Sequence, residues 1–381
     1  MAKLKDLCNI LNGFAFKSEE YVKNGIRIIR IANVQKGYIE DSSPVFYPSE
    51  NNEIEKYMLC NGDLLMSLTG NVGRIAILDE KFLPAALNQR VACIRIKDEG
   101  KILKSYLFHA LNNDSFEKLC IQFSKGVAQK NMSTEWLKEY EILLPSMQKQ
   151  LQIAAVLDKL NDLIFLRQRQ LTKLDEAVKS EFIELFGDIT INDKEWDTQP
   201  LGKLCTIVRG GSPRPIEKFL GGDVPWIKIG DATDGESIYL RSTKEHIIQE
   251  GVLKSRMVKA GSLIFANCGV SLGFARIITF NGCIHDGWLA MEDIDSRLDK
   301  IFLLHALNQT TEHFRKIAPA GTQPNLNTAI MKAYKQIIPP MQLQKEFIFF
   351  VEQTDKFKLT IQQSLDKLET LKKSLMQQYF G

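Results

Sequence analysis

The sequence predicts an α+β fold: two homologous mixed α/β heads joined by two long helices, which form an intrachain antiparallel coiled coil with pseudo-two-fold symmetry. Two observations support this fold class. The 381-residue chain repeats itself, because Pro145 and Pro339, and also Gly187 and Gly381, lie 194 residues apart. In addition, the segment that follows each mixed region carries apolar residues at helical spacing.

The repeat is visible in short matching segments. Residues 143–148 (L-L-P-S-M-Q) match 337–342 (I-I-P-P-M-Q), and the L-F-G at 185–187 matches the Y-F-G that ends the chain. A repeat of this length indicates a duplicated domain with its connector rather than a solenoid of short units. The predicted division is a first head (1–145), a central connector helix (146–187), a second head (188–338) and a C-terminal connector helix (339–381).

Each head is predicted to be a mixed α+β domain. In the first head, short strands are expected at 25–32, 63–68, 74–78 and 90–96, of which the first and last alternate, followed by an amphipathic helix at 103–118. The second head repeats this order, and both copies contain His-Ala-Leu-Asn, at His109 and at His305. Several short strands separated by turn residues, with a few helices, are typical of α+β domains.

The connectors are predicted to be long helices that need a partner. Residues 147–186 contain neither glycine nor proline, and Gly187 provides a stop. The predicted seam consists of Ile153, Leu157, Leu160, Ile164, Leu171, Leu174, Val178 and Leu185, and of Val351, Ile361, Leu365, Leu368, Leu375 and Tyr379. Thr354, Lys358 and Lys372 interrupt the second half of this seam. The alternative is two separate modules whose helices pack elsewhere or pair between chains.

Composition excludes several classes of protein. There are 49 basic and 46 acidic residues, so the net charge of +3 does not by itself indicate a nucleic-acid binder. No apolar run approaches the roughly 18 residues of a membrane span. The seven cysteines are scattered without a C-x-x-C pair, which favours reduced thiols and a cytoplasmic location.

Motifs for chemistry are absent from the sequence. It contains no G-x-x-x-x-G-K-[ST] loop, no N-P-P-[FYW] or D-P-P-Y segment of an amino-methyltransferase, and no H-x-x-x-H spacing. His109 and His305 are therefore interpreted as packed histidines. We expect no catalytic residue, cofactor site or metal site in this chain, although an enzyme with an unrecognised site remains an alternative.

Two unlike heads on one rod suit an asymmetric double-stranded DNA target. A duplex presents the same groove once per turn of about 34 Å, and a rod of fixed length would set the spacing between two half-sites. Because the two heads differ in sequence, the half-sites would differ as well. The competing hypothesis is a structural or adaptor protein that pairs two protein-binding modules through the coiled rod.

The chain resembles the specificity subunit of type I restriction–modification systems over its whole length. The resemblance is carried by G-D-L-L-M-S-L-T-G-N-V-G-R at 62–74, Q-K-N-M-S at 129–133, L-L-P-S-M-Q-K-Q at 143–150 and K-L-D-E…F-G at 173–187, with counterparts at 261–273, 323–327, 337–342 and 367–381. It implies two target recognition domains, assembly with two modification (methyltransferase) subunits and with restriction (translocase and nuclease) subunits, and methylation of one adenine per half-site. S-adenosylmethionine, ATP and magnesium would then belong to the partner subunits.

Candidate DNA-binding residues are polar side chains on predicted loops, since bases are read by forked donors and acceptors. They are Lys17, Thr69, Asn71, Arg90, Lys125, Gln129 and Asn131 in the first head, and Arg209, Arg214, Asn267, Gln323 and Asn325 in the second. Positions that differ between the heads, among them Lys17 and Arg214, are the stronger candidates. The glutamines and asparagines shared at 129/323 and 131/325 have an alternative role, which is to hold a loop common to both heads.

Overall fold

The structure, a computed structural model of the chain, describes residues 1–50, 52–124, 131–232, 238–269, 272–318 and 325–381. It consists of two compact units, one formed by Met1–Arg167 with Ser364–Gly381 and the other by Gln168–Gln363. Each unit holds one head and one part of each long helix. The division into four segments stays a prediction, because packing groups each head with parts of both connectors.

The first head is built on short, mostly antiparallel sheets backed by helices; the pairing of β3 with β7 is parallel. Its elements are β1 (Ala2–Lys3), α1 (Leu4–Leu7), β2 (Cys8–Asn12), β3 (Ile26–Ile29), β4 (Phe46–Tyr47), β5 (Leu64–Ser67), β6 (Ile75–Ile77), β7 (Ala85–Leu87), β8 (Val91–Ile96), α2 (Lys104–Leu111), α3 (Asp114–Phe123), α4 (Thr134–Glu139) and β9 (Glu141–Ile142). Three sheets form, in the orders β2-β8-β5-β6, β4-β3-β7 and β1-β9. The last pairing joins the two ends of the head.

The second head repeats this plan. Its elements are β10 (Thr198–Pro200), α6 (Leu201–Leu204), β11 (Thr206–Arg209), β12 (Leu220–Ile227), β13 (Tyr239–Leu240), β14 (Glu245–Ile247), α7 (Gln249–Val252), β15 (Arg256–Val258), β16 (Leu263–Ala266), β17 (Ala275–Ile278), β18 (Gly282–Ile284), β19 (Trp288–Glu292), α8 (Lys300–Gln309), α9 (Thr311–Ile317), α10 (Thr328–Ala333) and β20 (Lys335–Ile337). The sheet orders are β11-β19-β16-β17-β13, β14-β12-β18-β15 and β10-β20. The α+β class predicted for the heads is confirmed.

The predicted helix at 103–118 is in fact two helices. Helix α2 ends at Leu111, and the Asn113 side chain accepts a hydrogen bond of 2.8 Å from the Phe116 backbone N–H at the start of α3. Asparagine is a favoured N-cap because its side-chain oxygen satisfies an amide that the first helical turn leaves free. The capping residue thus ends one amphipathic run and starts another.

The two long helices are α5 (Met147–Phe186) and α11 (Met341–Phe380), of 40 residues each. In the first unit, Leu157 and Leu160 of α5 share a core with Leu368 and Leu375 of α11. In the second unit, residues further along α5, such as Phe182, share a core with earlier residues of α11. Within the second unit, Asp175 of α5 pairs with Lys358 of α11, and Phe186, further along α5, packs against Phe347, earlier on α11. The two helices therefore pair antiparallel, as predicted.

The residues of the predicted seam are all buried or half-buried. The polar interruptions are accommodated: Thr354 is buried, and Lys358 forms an ion pair with Asp175 of α5. The sequence pattern did not single out an aromatic cluster in the second unit, where Phe182 and Phe186 pack against Phe302 and Phe347.

A buried glutamine ties each long helix to its head. The Gln150 side chain accepts from Leu103 N–H at 2.9 Å, and its amide donates to the carbonyls of Lys101 (3.1 Å) and Pro145 (2.9 Å). Gln344 makes the same three bonds in the second unit, each of 2.8 Å, to Asp299 N–H and to the carbonyls of Arg297 and Pro339. Both glutamines are 0% exposed, so the repeat extends to this joint between head and helix.

Candidate nucleic-acid interface

The polar loops of the first head gather at one edge of its four-stranded sheet. Strands β2 and β5 end at this edge, and their antiparallel neighbours β8 and β6 begin there. The segments leaving the edge are 13–17, 68–74 and 88–90, and we call these, with residue 131, the loop edge of head 1. Sheet topology therefore brings together polar residues that lie far apart in the sequence.

Backbone contacts hold these segments against one another. Phe14 forms a bridge with Asn88, and Gln89 N–H donates to the Phe14 carbonyl at 2.9 Å. The approach requires glycine at position 13, because a Cβ there would lie 2.2 Å from the Asn88 carbonyl oxygen. Thr69 forms a bridge with Asn131, which holds residue 131 against the 68–74 segment.

Head 2 has an equivalent loop edge, formed by segments 210–214, 267–269 and 285–287 with residue 325. Here β11 and β16 end, and β19 and β17 begin. Gly210 approaches the His285 carbonyl as Gly13 approaches Asn88, since a Cβ at 210 would lie 2.1 Å from that oxygen. A bridge between Cys268 and Asn325 matches the one between Thr69 and Asn131.

Most of the described candidate residues lie at these edges with exposed side chains. The exposed ones are Lys17, Asn71, Arg90, Asn131, Arg209 and Arg214, and Asn325 is half-buried. Arg209 is the last residue of β11 and directly precedes the loop edge of head 2. The candidates Lys125, Gln129 and Gln323 lie outside the described residues.

Two candidates are corrected by their burial. Asn267 is 0% exposed, and its side-chain amide donates to the Leu326 carbonyl at 3.2 Å and to the Asn325 side-chain oxygen at 3.4 Å. Thr69 is only 6% exposed, beneath the bridge to Asn131. A side chain that is buried against its own protein cannot reach a base edge, so both residues belong to the scaffold that holds the loops.

A polar cluster around Asp286 at the loop edge of head 2 was not predicted. The Asp286 carboxylate accepts from Ser212 Oγ at 2.7 Å and from His285 Nε2 at 2.9 Å, and it lies 3.5 Å from Arg214 Nη2. Arg209 Nε donates to the Asp286 backbone carbonyl at 3.0 Å. Partial burial opposes ionisation of Asp286, but the Ser212 hydrogen bond and the cationic and imidazole neighbours keep its pKa below the usual value.

The sequence did contain a signal for this cluster. Gly13 and Gly210 are 197 residues apart, and the same shift superimposes Lys17 on Arg214 and Gln89 on Asp286. At this equivalent position head 1 has the amide Gln89 and head 2 has the acid Asp286, close to the predicted cations. The position is therefore one where the two heads differ.

The repeated histidines are packed residues, in agreement with their interpretation from the sequence. His109 is 1% exposed, and its Nε2 lies 2.7 Å from Asp158 on α5. Burial lowers the pKa of His305 to about 4, and its ring packs edge-on against Phe347. Within the described ranges, no group of three or more His, Cys, Asp or Glu side chains is placed to hold a metal ion. No helix in the described part of the chain is long and apolar enough to span a membrane.

The chain is similar to several curated specificity subunits. It is 30% identical over 184 residues to the type I restriction enzyme MjaVIII specificity subunit of Methanocaldococcus jannaschii, a match covering 47% of this chain and 43% of that protein. It is 22% identical over 407 residues to the putative MjaX specificity subunit of the same organism, covering 98% and 91% of the two chains. The EcoBI specificity subunit of Escherichia coli is 28% identical, with 61% and 52% covered.

Solved structures show the same fold. The type I restriction-modification S subunit from M. genitalium matches with a TM-score of 0.58 at 15% identity, covering 100% of this chain and 95% of the other. A chain from a study of complex assembly and conformational transition of the type I R-M system matches with a TM-score of 0.60 at 15% identity, covering 100% and 96%.

A protein-family model matches most of the chain. The model described as "Type I restriction modification DNA specificity domain" matches residues 1–176 and again residues 193–371, one match for each copy of the repeat. The chain therefore belongs to the family of type I restriction–modification specificity subunits and carries two copies of the DNA specificity domain.

Proposed function

We propose that this chain is the non-catalytic DNA-recognition subunit of a type I restriction–modification complex, in which each head reads one half of an asymmetric bipartite site. The observation that carries this proposal is the pair of loop edges. They share one backbone arrangement, yet they present Lys17 and Gln89 in head 1 where head 2 has Arg214 and the half-buried Asp286. One scaffold with two different sets of polar side chains suits two unlike half-sites.

Recognition at each loop edge would combine two kinds of contact. Exposed lysine and arginine side chains neutralise phosphates and set the register on the duplex. The guanidinium groups of Arg90, Arg209 and Arg214 and the amide of Asn71 carry the forked donors and acceptors that distinguish bases in the major groove. Because many of these contacts are charged, binding is expected to weaken steeply as salt increases.

The two long helices would set the spacer and dock the partner subunits. Each helix has 40 residues, or about 60 Å at a rise of about 1.5 Å per residue. Large apolar side chains remain exposed on both, including Phe165 (62%), Phe349 (64%) and Phe357 (63%). Exposed aromatic residues of this kind are enriched in protein interfaces, which supports docking of two modification (methyltransferase) subunits and, through the complex, of restriction subunits.

The chemistry would reside in those partners. In this proposal the modification subunits use S-adenosylmethionine to methylate one adenine in each half-site, and the restriction subunits use ATP and magnesium. The complex would act in the cytoplasm, where it meets the chromosome. No observation favours the alternative of an adaptor that pairs two protein-binding modules.

A head exchange tests the proposal. Residues 1–145 are replaced by the first head of another family member, and methylated adenines are mapped genome-wide in cells carrying the parent or the chimaera together with the modification subunit. The expected result is a bipartite motif in which only one half changes. A change in both halves, or the absence of any motif with the parent chain, would contradict it.

A further inference from the structure

Asp286 lies at the centre of the loop edge of head 2, between two cationic side chains. Its carboxylate lies 3.5 Å from the Arg214 guanidinium, and its backbone carbonyl accepts from Arg209 at 3.0 Å. The Asp286 side chain is 31% exposed, whereas Arg214 is 79% exposed. The aspartate is thus recessed, and the arginine beside it projects to where a ligand would approach.

The carboxylate is itself held in place. Ser212 Oγ donates to Asp286 Oδ1 at 2.7 Å and accepts from the Asp286 backbone N–H at 3.3 Å. His285 Nδ1 accepts from Gly287 N–H at 2.9 Å, so the ring proton lies on Nε2 and is donated to the same carboxylate. Asp286 is therefore an ordered acceptor and not a mobile surface acid.

The equivalent residues of head 1 are arranged differently. The equivalent of Asp286 is Gln89, which is exposed, and the equivalent of Ser212 is Ala15. Lys17, at the place of Arg214, pairs with Glu20 at 3.3 Å and is 67% exposed, and the Glu20 carboxylate accepts a hydrogen bond from the Tyr47 hydroxyl. Both heads therefore pair a cation with a held carboxylate, but head 2 presents an arginine, whose planar fork selects by geometry, whereas head 1 presents a lysine, which acts as a point charge.

The physical consequence concerns selectivity more than affinity. An ordered guanidinium loses less conformational freedom on binding, and its planar fork then accepts only partners of matching geometry. A carboxylate facing DNA also repels phosphates, which lowers the affinity for every sequence. A fixed aspartate beside an arginine therefore lowers the affinity for all DNA sequences and raises the discrimination between bases.

We propose that Asp286, held by Ser212 and His285, is a positioning residue that orders Arg214 and sharpens the base selectivity of head 2 alone. The proposal rests on the proposed function, since it assumes that the loop edge contacts DNA. It adds a division between the heads: head 2 discriminates by a positioned arginine, whereas the equivalent cation of head 1 is a lysine paired with Glu20.

The test uses two variants of the full chain, each expressed with its modification subunit. Asp286→Asn removes the charge, and Ser212→Ala keeps the charge but removes the hydroxyl that holds the carboxylate. Glu292→Gln is the matched control, because Glu292 ends β19 at the opposite edge of the same sheet. Methylation is measured across the genome at the target site and at sites that differ from it by one base. These sites are sorted by the half-site that carries the difference. The half read by head 2 is the one that stays unchanged in the head exchange.

With Asp286→Asn, we expect methylation at near-target sites altered in the head 2 half to rise about tenfold relative to the target, the discrimination that one lost bidentate contact represents. Ser212→Ala should shift the same sites in the same direction by less, and Glu292→Gln should shift none. Target methylation should persist, and the affinity of the Asp286→Asn complex for a non-target duplex should not fall.

The outcomes separate the two proposals. If the parent chain directs no bipartite methylation, the proposed function fails. If the parent motif is present but Asp286→Asn leaves near-target methylation unchanged, the positioning role alone is overturned. Equal relaxation of both halves, or loss of all methylation with both variants, would indicate a general structural effect and would also overturn it.

Discussion

The glutamine joints offer the sharpest test of how the heads are attached to the helices. Gln150→Met and Gln344→Met replace each amide with an apolar side chain of similar length. Each change leaves three backbone groups without their partner, for example Asp299 N–H and the carbonyls of Arg297 and Pro339. The joint glutamines are 0% exposed, so water does not replace the lost bonds without rearrangement.

The magnitude follows from the number of bonds. An unsatisfied buried polar group costs about 1–3 kcal/mol, so three groups that relax partly should together cost about 3 kcal/mol. In a unit of roughly 150–250 residues, about 1 kcal/mol shifts the Tm by about 2–4 °C, which predicts a decrease of about 6–12 °C for the unit concerned. Scanning calorimetry of the full chain measures this decrease.

The matched controls are Gln148→Met and Gln342→Met, two residues earlier on the same helices and exposed. They should shift the Tm by less than about 2 °C, as most exposed substitutions do. If Gln150→Met and Gln344→Met have the same Tm as their controls, these hydrogen bonds do not stabilise the attachment of head to helix. The reasoning from buried hydrogen bonding is then refuted.

Three further predictions follow from other parts of the chain. Insertion of one heptad at matching points of α5 and α11 should lengthen the unread spacer of the methylation motif without changing either half-site; an unchanged spacer would show that the helices do not set it. Because burial holds the pKa of His305 near 4, below the value of an unfolded histidine, its contribution to stability is present above about pH 6.5 and is lost as pH falls toward 4, by roughly 3 kcal/mol in total. Urea unfolding at pH 7.5 and 4.5 should show this loss in the parent and much less of it in His305→Phe, and an equal loss in both would contradict the assignment. Asn267→Leu gives head 2 the residue type that head 1 carries at Leu68. It should weaken base selectivity in the head 2 half-site only, because it removes the amide that donates to Asn325 and Leu326. Unchanged half-site selectivity in the methylation map would count against a scaffold role.

Comparison of the two heads explains where prediction from sequence succeeded. Leu64, Leu65 and Met66 form a short continuous apolar run, which is typical of a strand buried on both faces, and β5 is buried throughout. The helix at 103–118 was placed correctly but not divided, since Asn113 acts as a cap only when the chain before it turns. Local signals identify elements better than they identify the junctions between them.

The candidate interface was predicted less completely. Lys17, Arg90 and Arg214 were expected on exposed loops, and their side chains are exposed at the two loop edges. Asn267 was misassigned because its burial depends on Leu326, which lies far along the chain and covers it through a backbone hydrogen bond of 2.7 Å. Asp286 was overlooked because its neighbours Ser212 and Arg214 come from a different strand connection.

The sequence by itself determined the duplication and the two long helices, because these follow from a repeat and from apolar spacing along one segment. It predicted the antiparallel pairing of the helices but left pairing between chains open. Only the tertiary structure decided which polar residues face outward and which hold the loops. Exposure at a loop depends on contacts between segments that are distant in sequence, as at Thr69 with Asn131 and at Cys268 with Asn325. Pairing of distant segments leaves no local pattern in the chain, so it becomes visible only once the sheets have brought those segments together.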